Sequence, residues 1–172
     1  NEFGFISESN ASLILPYSES DTPAPGSGNI GEWAVVPASA YSYALTDQMT
    51  LGLTFGAPFG LTTNADNNWP GAIHGDKSAV KTYNLGPSVS YAFNDWLAIG
   101  VGAQIEYMTL DVTSRSGGVT ILDIAADDLA AGFTAGVLLK PTDSTEIGLG
   151  FRSSIHHKLE GDGFSPFHAA GT

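Results

Sequence analysis

The 172-residue chain has no cysteine, which removes disulfide scaffolds, zinc ribbons and thiol nucleophiles together. Positive charge is almost as scarce: six Lys and Arg stand against 18 Asp and Glu, for a formal net charge of −12. A nucleic-acid binder that works by neutralising phosphates needs the opposite balance, so that class is excluded. Charged residues make up only 14% of the chain, well below the roughly 25% of soluble domains. No run of 18 apolar residues occurs, so no transmembrane helix is expected. Nothing at the start reads as a signal peptide, and the opening at Asn1 rather than Met predicts a processed or truncated chain. Catalytic signatures are missing too: there is no Gly-X-Ser-X-Gly elbow, Walker A motif or His-Glu-X-X-His. His156-His157 would point to opposite faces of a strand end and suits no shared metal. His74, Asp76, Asp66 and Asp123 read as solvated loop charges. We expect no enzyme, no metal and no cofactor.

What the chain does have is glycine (21), proline (9) and aromatics at 10%, too apolar a mixture for disorder. Thr46-Asp47-Gln48, Asn94-Asp95 and Pro141-Thr142-Asp143-Ser144 carry short-turn chemistry. The remaining connections, at residues 18–32, 58–78, 114–128 and from 160 onward, read as long loops. Short turns alternating with long loops suit a barrel with unlike ends. Between them side chains alternate with a period of two. Leu97, Ile99, Val101, Ala103, Ile105 and Tyr107 oppose Ala98, Gly100, Gly102, Gln104, Glu106 and Met108. The same pattern marks residues 82–93, 129–140 and 146–152. Such alternation is β-strand with one apolar face.

The opposite face is mostly Gly, Ala, Ser and Thr, where a water-facing strand normally carries Lys, Glu and Arg. Tyr41, Tyr43, Tyr91, Phe93 and Trp96 collect beside the short turns, as interfacial girdles do. The pattern predicts an all-β fold, an antiparallel transmembrane β-barrel of the outer-membrane type. A soluble β-sandwich acting as a binding module is the alternative, and detergent dependence separates the two.

Val36-Pro37-Ala38, then residues 47–53, then Ala57-Pro58-Phe59-Gly60-Leu61 resemble FadL/TodX-type proteins of the Gram-negative outer membrane. Trp69-Pro70-Gly71, residues 81–88, residues 92–102, Lys140-Pro141-Thr142-Asp143, residues 148–153 and residues 157–161 continue the resemblance in the family's order over about 31–163. The resemblance implies a transporter of long-chain fatty acids or other hydrophobic compounds, such as aromatic hydrocarbons, by passive diffusion. Members are closed barrels of ~14 strands, with an N-terminal hatch and a kinked strand that opens the wall sideways. About seven strands can be counted here, one of them weak, within residues 3–17. Residues 1–172 are therefore expected to form one partial barrel domain, without the hatch and the C-terminal strands. The implied partners are a hydrophobic small-molecule ligand and outer-membrane lipid or detergent, and the full-length protein is expected to be a monomer. A general porin for polar solutes remains the second transport reading.

Gly56, Ala57, Pro58, Phe59 and Gly60 interrupt a strand, because proline removes a ladder donor. By themselves they read first as a strand running into its loop; the resemblance reverses that preference and places them at the wall kink. Val119, Ile121, Leu122 and Ile124 make the connection at 114–128 unusually apolar, and Phe164 and Phe167 do the same for the last one. The resemblance makes these an outer ligand groove, whereas loops packing on one another would need no ligand. The family arginine that holds a carboxylate falls on Ser114, beside Arg115. Arg152 on the inward face is expected to pair with Glu106 or Glu146.

Overall fold

The computed structural model describes residues 4–17, 31–64, 76–116, 119–142 and 144–164. They form β1 (Phe5–Ile14), β2 (Ala34–Ala44), β3 (Met49–Gly56), β4 (Gly60–Asn64), β5 (Lys77–Asn94), β6 (Leu97–Ser116), β7 (Val119–Thr142), β8 (Thr145–Arg152) and β9 (Glu160–Phe164). The strands lie in one antiparallel sheet in the order β1-β2-β3-β5-β6-β7-β8; β4 lies along β5, and β9 along β7. Each short strand continues the course of a longer one on the same partner, β4 that of β3 and β9 that of β8. The sheet thus has the expected number of strand positions, with two of them interrupted. Among the described residues β1 and β8 are unpaired edges, and the sheet does not close.

Each expected short turn is where the sequence placed it. Asn94 Oδ1 accepts from the amides of Trp96 and Leu97 at 3.2 and 2.8 Å, the local side-chain bonding that makes Asn a turn residue. Thr46 Oγ1 does the same for Met49 at 2.9 Å. Three of the expected long connections contain strand: β4 lies within 58–78, β9 opens the last one, and the connection at 114–128 is a hairpin. Residues 114–128 were expected to leave the sheet, but β6 runs on to Ser116 and β7 begins at Val119, in near-continuous register from Leu97↔Leu139 to Ser116↔Val119. The residues 119–124 are largely β-branched or apolar, and extending the ladder satisfies every backbone group that a loop would leave to water. β7 is therefore 24 residues long, about 80 Å at the rise of an antiparallel strand.

The two faces of the sheet differ in chemistry. Tyr83, Leu85, Val89, Ile99, Val101, Ile105, Tyr107, Leu129, Phe133 and Val137 form a continuous outer face through direct cross-strand pairs, all of them exposed or nearly so. The inner face buries polar groups instead: Thr82, Asn84, Gln104, Glu106 and Ser114. Ala79 is the sole buried apolar residue among the described ones. A soluble sandwich would cover its apolar face with a second sheet, and among the described residues nothing covers this one. Hydrocarbon is the solvent this face fits.

A facing test follows. Val101 sits near the middle of the 97–107 stretch that ~9–11 residues of crossing strand require, and its side chain is 56% exposed on the apolar face. Val101→Arg should destabilise the folded protein in lipid by about 2–4 kcal/mol. Gly100→Ser on the inner face should cost far less, since a Cβ there meets its nearest neighbours at 3.5 Å, an ordinary contact. A urea titration in lipid vesicles that returned equal costs would refute the face assignment.

Candidate functional site

The ladder between the second and third strand positions breaks at residues 57–59. β2 pairs with β3 as far as Ala38↔Gly56, and beyond it β2 pairs with β1, while β4 pairs with β5. In a regular ladder residues 37 and 57 would exchange two hydrogen bonds. Pro37 supplies only the acceptor half, taking the amide of Ala57 at 3.3 Å. The next residue, Pro58, has no donor either, and it holds Ala57 extended. Four steps from Gly56 to Gly60 oppose three steps on β5, from Asn84 to Lys81, so the segment carries one extra residue.

Thr82 holds this bulge. Its Oγ1 accepts from the Phe59 amide at 2.9 Å and donates to the Phe59 carbonyl at 3.0 Å, and its own amide donates to the same carbonyl at 2.8 Å. Across the break, the next backbone contact is Glu32 N to Thr62 O at 3.1 Å, beside the isolated bridge Gly31↔Thr63. Residues 33–36 and 58–61 therefore face each other with no backbone hydrogen bond between them among the described residues. The hollow in the gap has about 270 Å³ and is lined by Trp33, Val36, Pro37, Ala57, Phe59 and Tyr83, among others. A second hollow of about 520 Å³ lies behind it, against Gly56, Pro58, Asn84 and Arg152. The strand does not end at residue 56; it resumes after a one-residue bulge that leaves the wall unzipped on one side.

Further along the strands the polarity of the faces reverses. Outward pairs change from Tyr107↔Leu129 to Thr109↔Asp127, Asp111↔Ala125 and Thr113↔Asp123. Inward pairs change from Glu106↔Ala130 to Leu110↔Ala126 and Val112↔Ile124, with Leu122 opposite Ser114. Val80 pairs with both Leu110 and Leu61, because the bulge turns Leu61 to the inner face. Leu61, Val80, Leu110, Val112, Leu122 and Ile124 thus form an apolar strip inside the wall, and it ends on β4, one side of the gap. Outer residues turn polar where lipid gives way to water, and the apolar side chains move indoors.

Below that strip a polar network crosses the inner face. Glu106, 6% exposed, accepts from Asn84 Nδ2 at 3.1 Å and bonds His157 Nε2 at 3.1 Å. His157 Nδ1 bonds Asp128 Oδ2 at 3.0 Å, and the same oxygen accepts from the Lys158 amide at 3.0 Å. His157 belongs to residues 153–159, which leave the ladder between β8 and β9. Ser153 pins the other end of this segment, its amide donating to Phe133 O and its Oγ accepting from Phe133 N, both at 2.9 Å. Gly132 allows the segment to lie on the floor: a Cβ there would come within 2.9 Å of Ile155 Cγ1. Asn84 pairs with Gly56, so the network begins at the inner rim of the gap.

The sequence-derived residues fall into two groups. Gly56, Ala57, Pro58, Phe59 and Gly60 make the gap. Val119, Ile121, Leu122 and Ile124 lie on β7 and Phe164 ends β9 opposite Asp123, all as strand rather than loop. Leu122 and Ile124 face inward, Ile121 is the extra residue of a second bulge, and Val119 is exposed at the hairpin tip. Phe167 lies outside the described residues. Arg115 does not stand free, since its Nε contacts the buried Asp76 at 3.3 Å, which also removes Asp76 from the solvated charges. Arg152 pairs with neither expected acid: Glu106 is taken by His157, and Glu146 by Lys140 at 2.5 Å. Thr82, Asn84, Glu106, His157 and the strip residues Leu61, Val80, Leu110 and Val112 are the groups the sequence reading missed. The reversal of alternation after Tyr107 is the signal that marks Leu110 and Val112.

The family model described as outer membrane protein transport protein (OMPP1/FadL/TodX) matches residues 10–172. The long-chain fatty acid transport protein of Escherichia coli O6:H1 is 22% identical over 175 residues, covering 87% of this chain and 39% of the relative. Outer membrane protein P1 of Haemophilus influenzae is 24% identical over 160 residues, covering 74% of this chain and 35% of that protein. The chain thus spans well under half the length of these curated relatives. The crystal structure of a Pseudomonas aeruginosa FadL homologue superposes with a TM-score of 0.66 at 19% identity, over 91% of this chain and 45% of the homologue. That likeness shows the fold.

Proposed function

Because the chain belongs to the outer membrane protein transport family (OMPP1/FadL/TodX), and so to the Gram-negative outer membrane, we propose that it forms the ligand-passing part of a barrel wall. The barrel is completed by strands outside these 172 residues. Hydrophobic small molecules, long-chain fatty acids or aromatic hydrocarbons, collect on the inner strip from Leu122 to Leu61. They leave sideways into the membrane between residues 33–36 and 58–61 by passive diffusion. The carrying observation is the strip itself: apolar side chains turned indoors above the lipid boundary, leading to the stretch of wall between the second and third strand positions that has no ladder among the described residues. Each methylene kept from water saves about 0.8 kcal/mol, so a path that never fully hydrates an acyl chain needs no energy source. The chemistry calls for no catalytic group, and the complete barrel acts as a monomer.

A general porin for polar solutes would need rings of charge around its lumen. The inner face offers mostly Gly, Ala, Ser and Thr, and of its acids Glu106 and Asp128 are tied to His157 and Glu146 to Lys140. Cells lacking their own hydrophobic-uptake protein should take up labelled oleate when given the full-length protein containing this segment, with no gain for a disaccharide. Disaccharide flux without oleate uptake would establish the porin instead.

A further inference from the structure

The gap does not come from a register mismatch between the two strands that flank it. Ala38 opposes Gly56 at one end and Gly31 opposes Thr63 at the other, seven steps along each strand. Val35 therefore stands in register with Phe59, and neither is proline. Alternate residues of an antiparallel strand turn their N–H and C=O groups to opposite neighbours. Ala57 N donates to Pro37 O, and Ala44 N donates to Gly4 O. The odd-numbered residues of β2 thus aim their backbone groups at β3, and the even-numbered ones at the β1 side. By the same alternation Phe59 would aim both of its groups at Val35 and zip the wall. The extra residue of the bulge turns them to β5 instead, where Thr82 takes both. Thr82 is 2% exposed and is fixed from its other side by pairing with Met108.

We propose that Thr82 is the positioning residue of the exit: its hydroxyl competes with Val35 for the backbone of Phe59 and so keeps the wall open. The assignment rests on the transport reading above and deepens it, naming the group that holds the exit apart. One hydroxyl accepts from Phe59 N and donates to Phe59 O, so it does for that residue what a neighbouring strand would do. A wall opened beside hydrocarbon strands backbone groups, which is why barrel walls are normally zipped throughout. Thr82 removes that penalty at Phe59. Pro37 and Pro58 each remove a donor at their own positions, but neither prevents Val35 from pairing with Phe59. The hydroxyl decides that contest. It acts through Phe59, which lines the hollow in the gap with Trp33 and Tyr83.

Two measurements on the full-length protein in cells test this, both taken per amount of folded protein in the outer membrane. The first is uptake of labelled oleate. The second is the rate at which Val35→Cys and Phe59→Cys, introduced together, form a disulfide under a mild oxidant. Directly paired residues of a ladder lie within disulfide reach, so this rate reports the zipped wall. Thr82→Val keeps the shape and removes the hydroxyl. Oleate uptake should fall by about fivefold or more and cross-linking should rise by about as much, the worth of one net hydrogen bond. Thr82→Ser keeps the hydroxyl and should stay within about twofold of the parent in both measurements. Uptake that falls without faster cross-linking would make Thr82 a structural residue and overturn the assignment. So would a Thr82→Ser variant that behaves like Thr82→Val, or a Thr82→Val variant unchanged in both measurements. Faster cross-linking with unchanged uptake would refute the exit through this gap, and with it the part of Thr82 in transport. A parent that takes up no oleate would refute the transport reading, while the cross-linking rates would still decide whether Thr82 holds the wall open.

Discussion

Closing the gap should stop transport and leave capture intact. The variant with Pro37→Val, Ala57→Val and Pro58→Thr, made in the full-length protein, restores the missing donors on both strands and adds β-propensity where the ladder breaks. With Val at 37, residues 37 and 57 can exchange both hydrogen bonds of a regular pair, where Pro37 now accepts from Ala57 alone. The wall then zips toward Glu32 and Thr62, which already bond at 3.1 Å. Oleate uptake by cells should fall by about tenfold or more. Tenfold requires only about 1.4 kcal/mol, less than the hydration of two methylenes at about 0.8 kcal/mol each, so a modest narrowing suffices. Oleate binding to the inner strip from Leu122 to Leu61 should persist, because none of its residues is altered. Unchanged uptake in a folded variant would mean that ligand leaves elsewhere and that residues 57–59 are a bulge without transport function.

The sheet was legible because lipid-facing alternation is simple: one apolar face and one small-residue face, repeated from Tyr83 to Leu139. The turns at Asn94 and Thr46 were legible because their side chains close them locally. The hairpin beyond Tyr107 was misread as loop for a physical reason. Alternation does not stop there; it changes sign, with Leu110 and Val112 inward and Asp111 and Thr113 outward. A reader following one apolar face sees the pattern fail, although the strand continues.

The gap was half legible. Pro58 announced a broken ladder, but whether the strand resumed depended on Gly60 to Asn64 finding Lys77 to Lys81, a pairing across residues 65–75 that no local pattern specifies. Pro37 lies on another strand, and only register brings it opposite Ala57. The His157 network was illegible for the same reason. His157, Asp128, Glu106 and Asn84 come from separate strands and a ladder break, and the alternation that turns Glu106 inward does not name its partners. Arg152 illustrates the converse: its charge was visible, but the assignment of its partner required knowing that His157 and Lys140 had already taken both acids.

The second large effect is expected at Glu106. Its two oxygens serve Asn84 and His157, each at 3.1 Å, in a site 6% exposed. Hydrogen bonds to a charged group contribute about 1.5–3 kcal/mol each, and stranding their partners in a buried place adds the desolvation of those partners. Glu106→Ala should therefore cost about 3 kcal/mol or more of unfolding free energy in lipid vesicles. Glu106→Gln keeps the shape and one acceptor and should cost about half as much. The loss should also be local. Without Glu106, His157 retains only Asp128, and residues 153–159 lose the side-chain contact that holds them to β6. Protease should then cut this segment faster in Glu106→Ala than in the parent, while the strand ladders on either side stay protected. The inner rim of the gap should loosen with it, since Asn84 sits opposite Gly56. Equal stability and equal cleavage in the two proteins would show that Glu106 is satisfied by water and that the network holds nothing.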